Sequence, residues 1–216
     1  MHLIQRSMAL AAASLALSAL AQDYPNKPIR IVVPFPAGGG TDVIARDVTN
    51  QLTTALGWTF VVENRPGSGG NLGVDAVAKS KADGYTLALG QSSNLAVNPT
   101  LYSKMPYDVM KDIAPVALVP SAPILLVVAA DSPYKTLGEL VAAVKAKPGS
   151  LNFASPGNGT VTHLTGELFQ RRAGVKFTHV PYKGASQAVT DLIGGQVQLY
   201  GSTVPTLLGQ IRNGRI

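Results

Sequence analysis

Glycines, a hydroxyl and one carboxylate stand together at Gly38-Gly39-Gly40-Thr41-Asp42, directly after the β-branched run Ile29 to Val33 and the turn Pro34-Phe35-Pro36-Ala37. That order reads as strand, turn and helix start. The first N–H groups of a helix have no intrahelical acceptor, and the aligned peptide dipoles leave partial positive charge at that end. Successive glycines let an oxyanion reach this backbone without meeting a Cβ, so the chemistry implied is anion capture by N–H groups. A tight turn with no ligand is the competing reading of any single loop of this kind. The device recurs at Ser155-Pro156-Gly157-Asn158-Gly159-Thr160 and again at His179 to Gly184, each following an apolar run. Two such loops on two halves of a chain are what a cleft requires.

Other chemistries fit less well. Gly90-Gln91-Ser92-Ser93-Asn94 nearly spells a nucleophile elbow, but Asn94 stands where the sharp turn needs glycine. Hydroxyls and an amide serving as ligand donors suit it better. A Ser155, His163, Asp191 triad can be written down, although no spacing fixes its geometry. His163, in a helix's first turn, reads first as a packing or capping residue. With no cysteine there is no thiol nucleophile, disulfide or Cys-based metal site, and no HExxH or paired acidic run supplies other ligands. A dinucleotide loop starting at Gly67 fails on spacing, since its sixth position is Leu72 and the glycine comes late, at Gly73. No cofactor is therefore expected. The basic residues are scattered, with Arg171-Arg172 and Lys145 with Lys147 the densest clusters and no interleaved aromatics. That argues against nucleic acid and for a mild field that draws small anions. Lys183 is the cation best placed to face a cleft, with solvated surface its competing reading.

The elements that must hold these loops alternate. Helical spacing from Val43 to Ala55 is closed by Gly57, then come a strand at Thr59 to Glu63, a Gly-rich turn, a helix from Val74 to Lys79 and a strand from Tyr85 to Gly90. Alternation of this kind means parallel pairing in an α/β sheet. Asn98 to Asp112 reads as an irregular surface excursion. Val116 to Val119 and Ile124 to Ala129 are apolar runs broken by Pro120 and Pro123, a break that fits a crossing between lobes. Beyond it the alternation resumes: a helix from Thr136 to Lys145, a strand at Leu151 to Ala154, a helix through Arg171, a helix from Ala185 to Ile193 and a strand at Val197 to Tyr200.

The N-terminus reads as a secretory leader. Arg6 precedes an Ala-rich apolar run from Met8 to Leu20, and Ala19-Leu20-Ala21 is a small-x-small cleavage pattern, so residues 1–21 are expected to be removed. The run falls short of the roughly 20 residues a spanning helix needs. An uncleaved anchor is the alternative, and it also places the rest outside the cytoplasm. Removing the leader takes only Arg6 from the charge balance, so +6 becomes +5.

Pro34 to Asp42, Glu63-Asn64-Arg65-Pro66-Gly67-Ser68-Gly69-Gly70, Asp83-Gly84-Tyr85-Thr86-Leu87, Ser155 to Leu164 and Val180-Pro181-Tyr182-Lys183-Gly184 together resemble the tripartite tricarboxylate transporter receptors, or Bug proteins. The likeness runs from about Tyr24 to the end of the chain, with the motifs in order. It implies an α/β, two-lobed periplasmic binding protein of type II fold. It also implies a small organic carboxylate as ligand, integral membrane transporter subunits as partners, a monomer, and no catalysis. Carried over by motif, first-lobe ligand contacts fall on Pro36, Ala37 and Gly38, with Asp42 ordering the turn, and on Ser92 and Asn94. Second-lobe contacts fall on Ser155, Gly159 and Thr160, with Ser202 and Thr203 closing the site. The expected division is residues 22–121 for lobe one and 122–216 for lobe two. The family's return to lobe one would begin near Arg215-Ile216, so an incomplete first lobe and a truncated chain are expected. The function expected is a solute receptor, with a secreted α/β serine hydrolase using Ser92 or Ser155 as the alternative.

Overall fold

A computed structural model describes residues 24–119 and 122–216. The leader expected at 1–21 and the proposed crossing at Pro120 lie outside the described residues. Among the described residues there are two sheets. In the first, β1 (Ile29–Val33) lies between β2 (Phe60–Asn64) and β3 (Thr86–Ala88), all parallel, with Ile31 opposite both Val62 and Leu87. Pairing on both sides buries Ile29, Val32 and Val33 almost completely, which is why this run is so nearly uncharged. Helix α1 (Gly40–Leu56) follows β1 and ends at Gly57, whose φ of 70° gives the left-handed cap. Helix α2 (Asn71–Ala78) follows β2.

The second sheet has the order β4-β7-β5-β6, built from β4 (Ile124–Val127), β5 (Asn152–Ser155), β6 (Thr178–Pro181) and β7 (Leu199–Thr203), with β4 antiparallel to β7 and the rest parallel. Period-two alternation assigns its two faces. Phe153 and Leu199 pack with Leu140, Val144, Leu151 and Phe177; Ala154 and Tyr200 pack with Ala188, Val189, Leu192 and Leu207. The covering helices are α5 (Leu137–Ala146), α6 (Val161–Ala173), α7 (Ala185–Ile193) and α8 (Val204–Arg212). Thr136 and Glu139 start α5 with a reciprocal capping box.

Two stretches depart from the sequence reading. The excursion at 98–112 is partly helical: a π turn at Ser93–Val97 runs into α3 (Asn98–Leu101), and α4 (Val109–Asp112) follows, capped by Asp108. The apolar run at Val116 to Val119 forms no strand, and Val116 and Leu118 are 78% and 98% exposed. A strand needs a neighbour to accept its ladder, whatever its side chains favour. β4 pairs with β7, and its apolar side chains, with Phe153, Gly166, Phe169 and Phe177, line a hollow between β4 and α6.

Candidate functional site

The carboxyl ends of β1, β5 and β6 open into loops that start helices, and β7 runs straight into α8, the arrangement that places ligand sites in parallel sheets. The loop after β1 is fixed from within. Asp42, only 4% exposed, accepts the N–H of Gly38 at 2.9 Å and the amide of Asn64 at 2.9 Å, and pairs with Arg46 at 3.0 Å. Asn64 also donates to Phe35 O at 3.0 Å, so the turn is tied to β2. Burial works to raise the Asp42 carboxyl, but hydrogen bonds from Arg46, Gly38 and Asn64 and the Arg46 charge outweigh it and hold the group below its ordinary value. Asp42 ties this turn to Asn64 and to Arg46 of α1.

The same loop meets the second sheet's helices directly. The Ser186 hydroxyl, in the first turn of α7, donates to Ala37 O at 3.0 Å. Gly184, which caps α7, faces the Pro36 ring so closely that an added Cβ would stand 2.7 Å from Cδ. A Cβ on Gly40 would press on the hydroxyls of Thr203 and Thr206, at the start of α8. The N-termini of α1, α7 and α8, capped by Gly39, Gly184 and Thr203, therefore converge from both halves of the chain. Further along the seam, Gly159 lies against Asn98 and Leu101 of α3, and Gly69 against Asn158 O.

Of the residues singled out from the sequence, Pro36, Ala37, Gly38 and Thr203 come together at this seam. Gly159 lies on it too, although its N–H is donated to Nδ1 of His163 at 3.2 Å. Thr160 caps α6 by accepting from His163 N. Ser202 is buried in β7 opposite Leu125. Ser92 is exposed, next to Gln91, whose amide reaches Thr41. Asn94 is fully buried: its Oδ1 accepts from Gln91 N at 2.9 Å, while its Nδ2 has no acceptor among the described residues. Gly184, Ser186, Thr206 and Asn98 were missed. The loop at His179 to Gly184 was noticed in the sequence, yet the hydroxyl two residues past its glycine was not, although it repeats the spacing of Gly40 and Asp42.

The hydrolase alternative does not survive the geometry. Ser92 has φ −52° and ψ −32°, an unstrained helical conformation rather than a nucleophile elbow. Ser155 is fully buried, and its partner is His179, 2.7 Å away, not His163. Asp191 is engaged elsewhere, accepting from Tyr182 OH at 2.7 Å. Among the described residues no group of His, Asp or Glu could hold a metal, and no helix is long and apolar enough to cross a membrane.

Comparison with known proteins agrees with this frame. The family described as "Tripartite tricarboxylate transporter family receptor" matches residues 44–216. Protein BugT of Bordetella pertussis is 44% identical over 208 residues, covering 96% of this chain and 64% of BugT. Among solved structures, R. palustris Rpa4515 with adipate superposes at TM-score 0.86 with 35% identity, covering 89% of this chain and 64% of that one. MatC from Rhodopseudomonas palustris with bound malate gives 0.79 and 34%, covering 88% and 65%. The chain thus spans just under two-thirds of the length of these relatives. The family is one of substrate-binding receptors, not enzymes, and its solved members share this periplasmic-binding-protein fold. By its motifs, its two sheets and its match over most of its length, the chain belongs to the tripartite tricarboxylate transporter receptor family.

Proposed function

We propose that residues 22–121 and 122–216 act as two lobes that close on a small organic carboxylate in the periplasm, and that the closed form, as a monomer, docks on integral membrane transporter subunits. The observation that carries this reading is the meeting of three helix N-termini, from both halves, around Pro36 to Gly40. Positive dipole ends brought face to face repel, and an oxyanion between them turns that repulsion into attraction. Hinge closure is then coupled to occupancy.

Pro36, Ala37 and Gly38, set by Asp42, together with Ser155, Gly159 and Thr160, form the two jaws, with Ser202 and Thr203 at the closing edge and Ser92 and Asn94 as side-chain donors. The unpaired Nδ2 of Asn94 supports its role, since a buried donor without an acceptor costs about 1–3 kcal/mol that a ligand oxygen or bridging water would remove. Recognition through N–H groups and hydroxyls admits a range of carboxylates. Two relatives were solved with dicarboxylates, adipate and malate, and these are the first probes to use. Isothermal titration with adipate, malate and monocarboxylate controls tests the reading. Saturable binding with ligand-induced thermal stabilisation is expected; no binding by any of them, or covalent capture of Ser92 or Ser155 by a serine-directed probe, refutes it.

A further inference from the structure

Behind the loop after β5, two imidazoles lie face to face. His163 of α6 and His179 of β6 stack with ring centroids 4.1 Å apart and planes 11° from parallel. Each is tied to the loop by a different nitrogen. His179 Nε2 lies 2.7 Å from Ser155 Oγ, which itself donates to Gly157 O at 3.1 Å and accepts Gly157 N–H at 3.2 Å. His163 Nδ1 accepts the N–H of Gly159 at 3.2 Å. The pair therefore holds both ends of the segment from Ser155 to Gly159. Around the rings stand Phe153 of β5, with its centroid 6.2 Å from that of His179, the Thr160 hydroxyl at His163 N, and Glu167 one turn along α6, 3.8 Å from His163 Nε2. Among the described residues, the charges that act on His179 are those of His163 and Glu167.

A backbone N–H can donate to His163 Nδ1 only while that nitrogen carries no proton. The neutral ring with its hydrogen on Nε2 meets the condition; the imidazolium, a donor at both nitrogens, does not. Resting on the carboxylate-receptor reading above, we propose that His163 is a positioning residue for the second-lobe binding loop, and that its protonation releases Gly159 and lowers ligand affinity.

The partner ring keeps the switch to one proton. Burial, and then the charge of His163, hold His179 below its ordinary value, so it stays neutral and keeps its contact with Ser155. The sign follows from linkage. If the ligand prefers the loop made by neutral His163, protons compete with it, affinity falls as the ring takes up a proton, and binding to the part-protonated protein releases one.

The test is isothermal titration with malate and adipate from pH 7.5 to 5, on the wild type and on His163→Asn, whose Oδ1 replaces the Nδ1 acceptor without titrating. Both proteins meet the same protonation of the acids, so the difference between them isolates the histidine. The wild-type Kd is expected to rise about tenfold more than that of the variant, as losing one well-placed hydrogen bond requires. Parallel pH profiles, or a variant that loses affinity at pH 7.5 as well, overturn the proposal. In ligand-free protein, the Gly159 amide shift is expected to follow the His163 ring through its titration, and an amide that stays silent refutes the coupling. Should neither acid bind at any pH, the receptor reading fails, and the amide titration still decides for or against the histidine's hold on the loop.

Discussion

Gly184→Ala isolates closure from folding. The residue caps α7 with φ 165°, an extended conformation open to any side chain, so the substitution carries no backbone strain. Its Cβ would stand 2.7 Å from Pro36 Cδ and 3.2 Å from Pro36 Cβ, across the seam. Carbon atoms in good contact lie about 3.5–4.0 Å apart, so the halves must part by about 1 Å at this point. A proline ring cannot swing aside as a longer side chain would. Overpacking of this kind costs about 1–3 kcal/mol, and here the cost falls on the closed form alone, so ligand affinity should drop between about fivefold and 150-fold. Gly40→Ala probes the same seam from the other helix, because its Cβ would press on the hydroxyls of Thr203 and Thr206, which lie 3.2 Å from each other, and it should lower affinity as well. Titration calorimetry with malate and adipate gives the affinities, and thermal unfolding without ligand gives the stabilities. Unchanged affinity in Gly184→Ala, or a melting temperature that falls along with affinity, would each refute the argument.

Three further outcomes are expected. Ser186→Ala removes the hydroxyl bond to Ala37 O and nothing within α7, so calorimetric affinity should fall about threefold to tenfold with the melting temperature unchanged. Gly166→Ala places a Cβ 2.6 Å from Phe153 Cζ inside the second sheet's core, and should cost about 1–3 kcal/mol of stability by chemical denaturation. Asp42 has a lowered carboxyl value, so its stabilisation is complete above the unfolded carboxylate range near pH 4 and is lost as pH falls through the depressed folded value. Asp42→Asn should therefore lower stability at pH 7 and flatten its decline in acid, as followed by denaturant unfolding between pH 7 and pH 2.

Local signals carried far in this chain, and distant pairings did not. The helix at Ala185 to Ile193 was readable to the residue because glycines flank it and its apolar positions repeat at helical spacing. The strand expected at Leu151 to Ala154 likewise forms, one residue along, at Asn152–Ser155. Helix α1 begins three residues earlier than its apolar periodicity. Gly40, Thr41 and Asp42 are poor helix formers, and Asp42 holds the first turn through its neighbours Gly38 and Arg46 and through Asn64, 22 residues away, the one partner that no short window reveals. His179 escaped notice as the partner of Ser155 for a similar reason. It comes 24 residues later, and only the parallel register, with Phe153 opposite His179, brings the two together. Val116 to Val119 shows the converse, a run with strand-like side chains that has no strand pairing in the structure.

On the proposed reading, the seam also bears on how helix N-termini would contribute to closure. Each helix N-terminus presents about half a positive charge, and an anion in its first turn gains about 0.3–1 kcal/mol when exposed and up to about 2 when partly buried. One terminus alone would favour the occupied form by less than about thirtyfold. With α1 on one half and α7 and α8 on the other, the three contributions sum to between about 1 and 6 kcal/mol, and their mutual repulsion in the empty site adds to the contrast. Moving a population from 1:99 to 99:1 takes about 5.5 kcal/mol. Three convergent termini reach that range only if the anion touches all of them at once, which happens only when the halves are together. If the proposed closure holds, it would need no strong single contact, and weakening any one terminus, for example by placing a carboxylate with Ser186→Asp, should reduce ligand-induced closure more than it reduces the stability of either half.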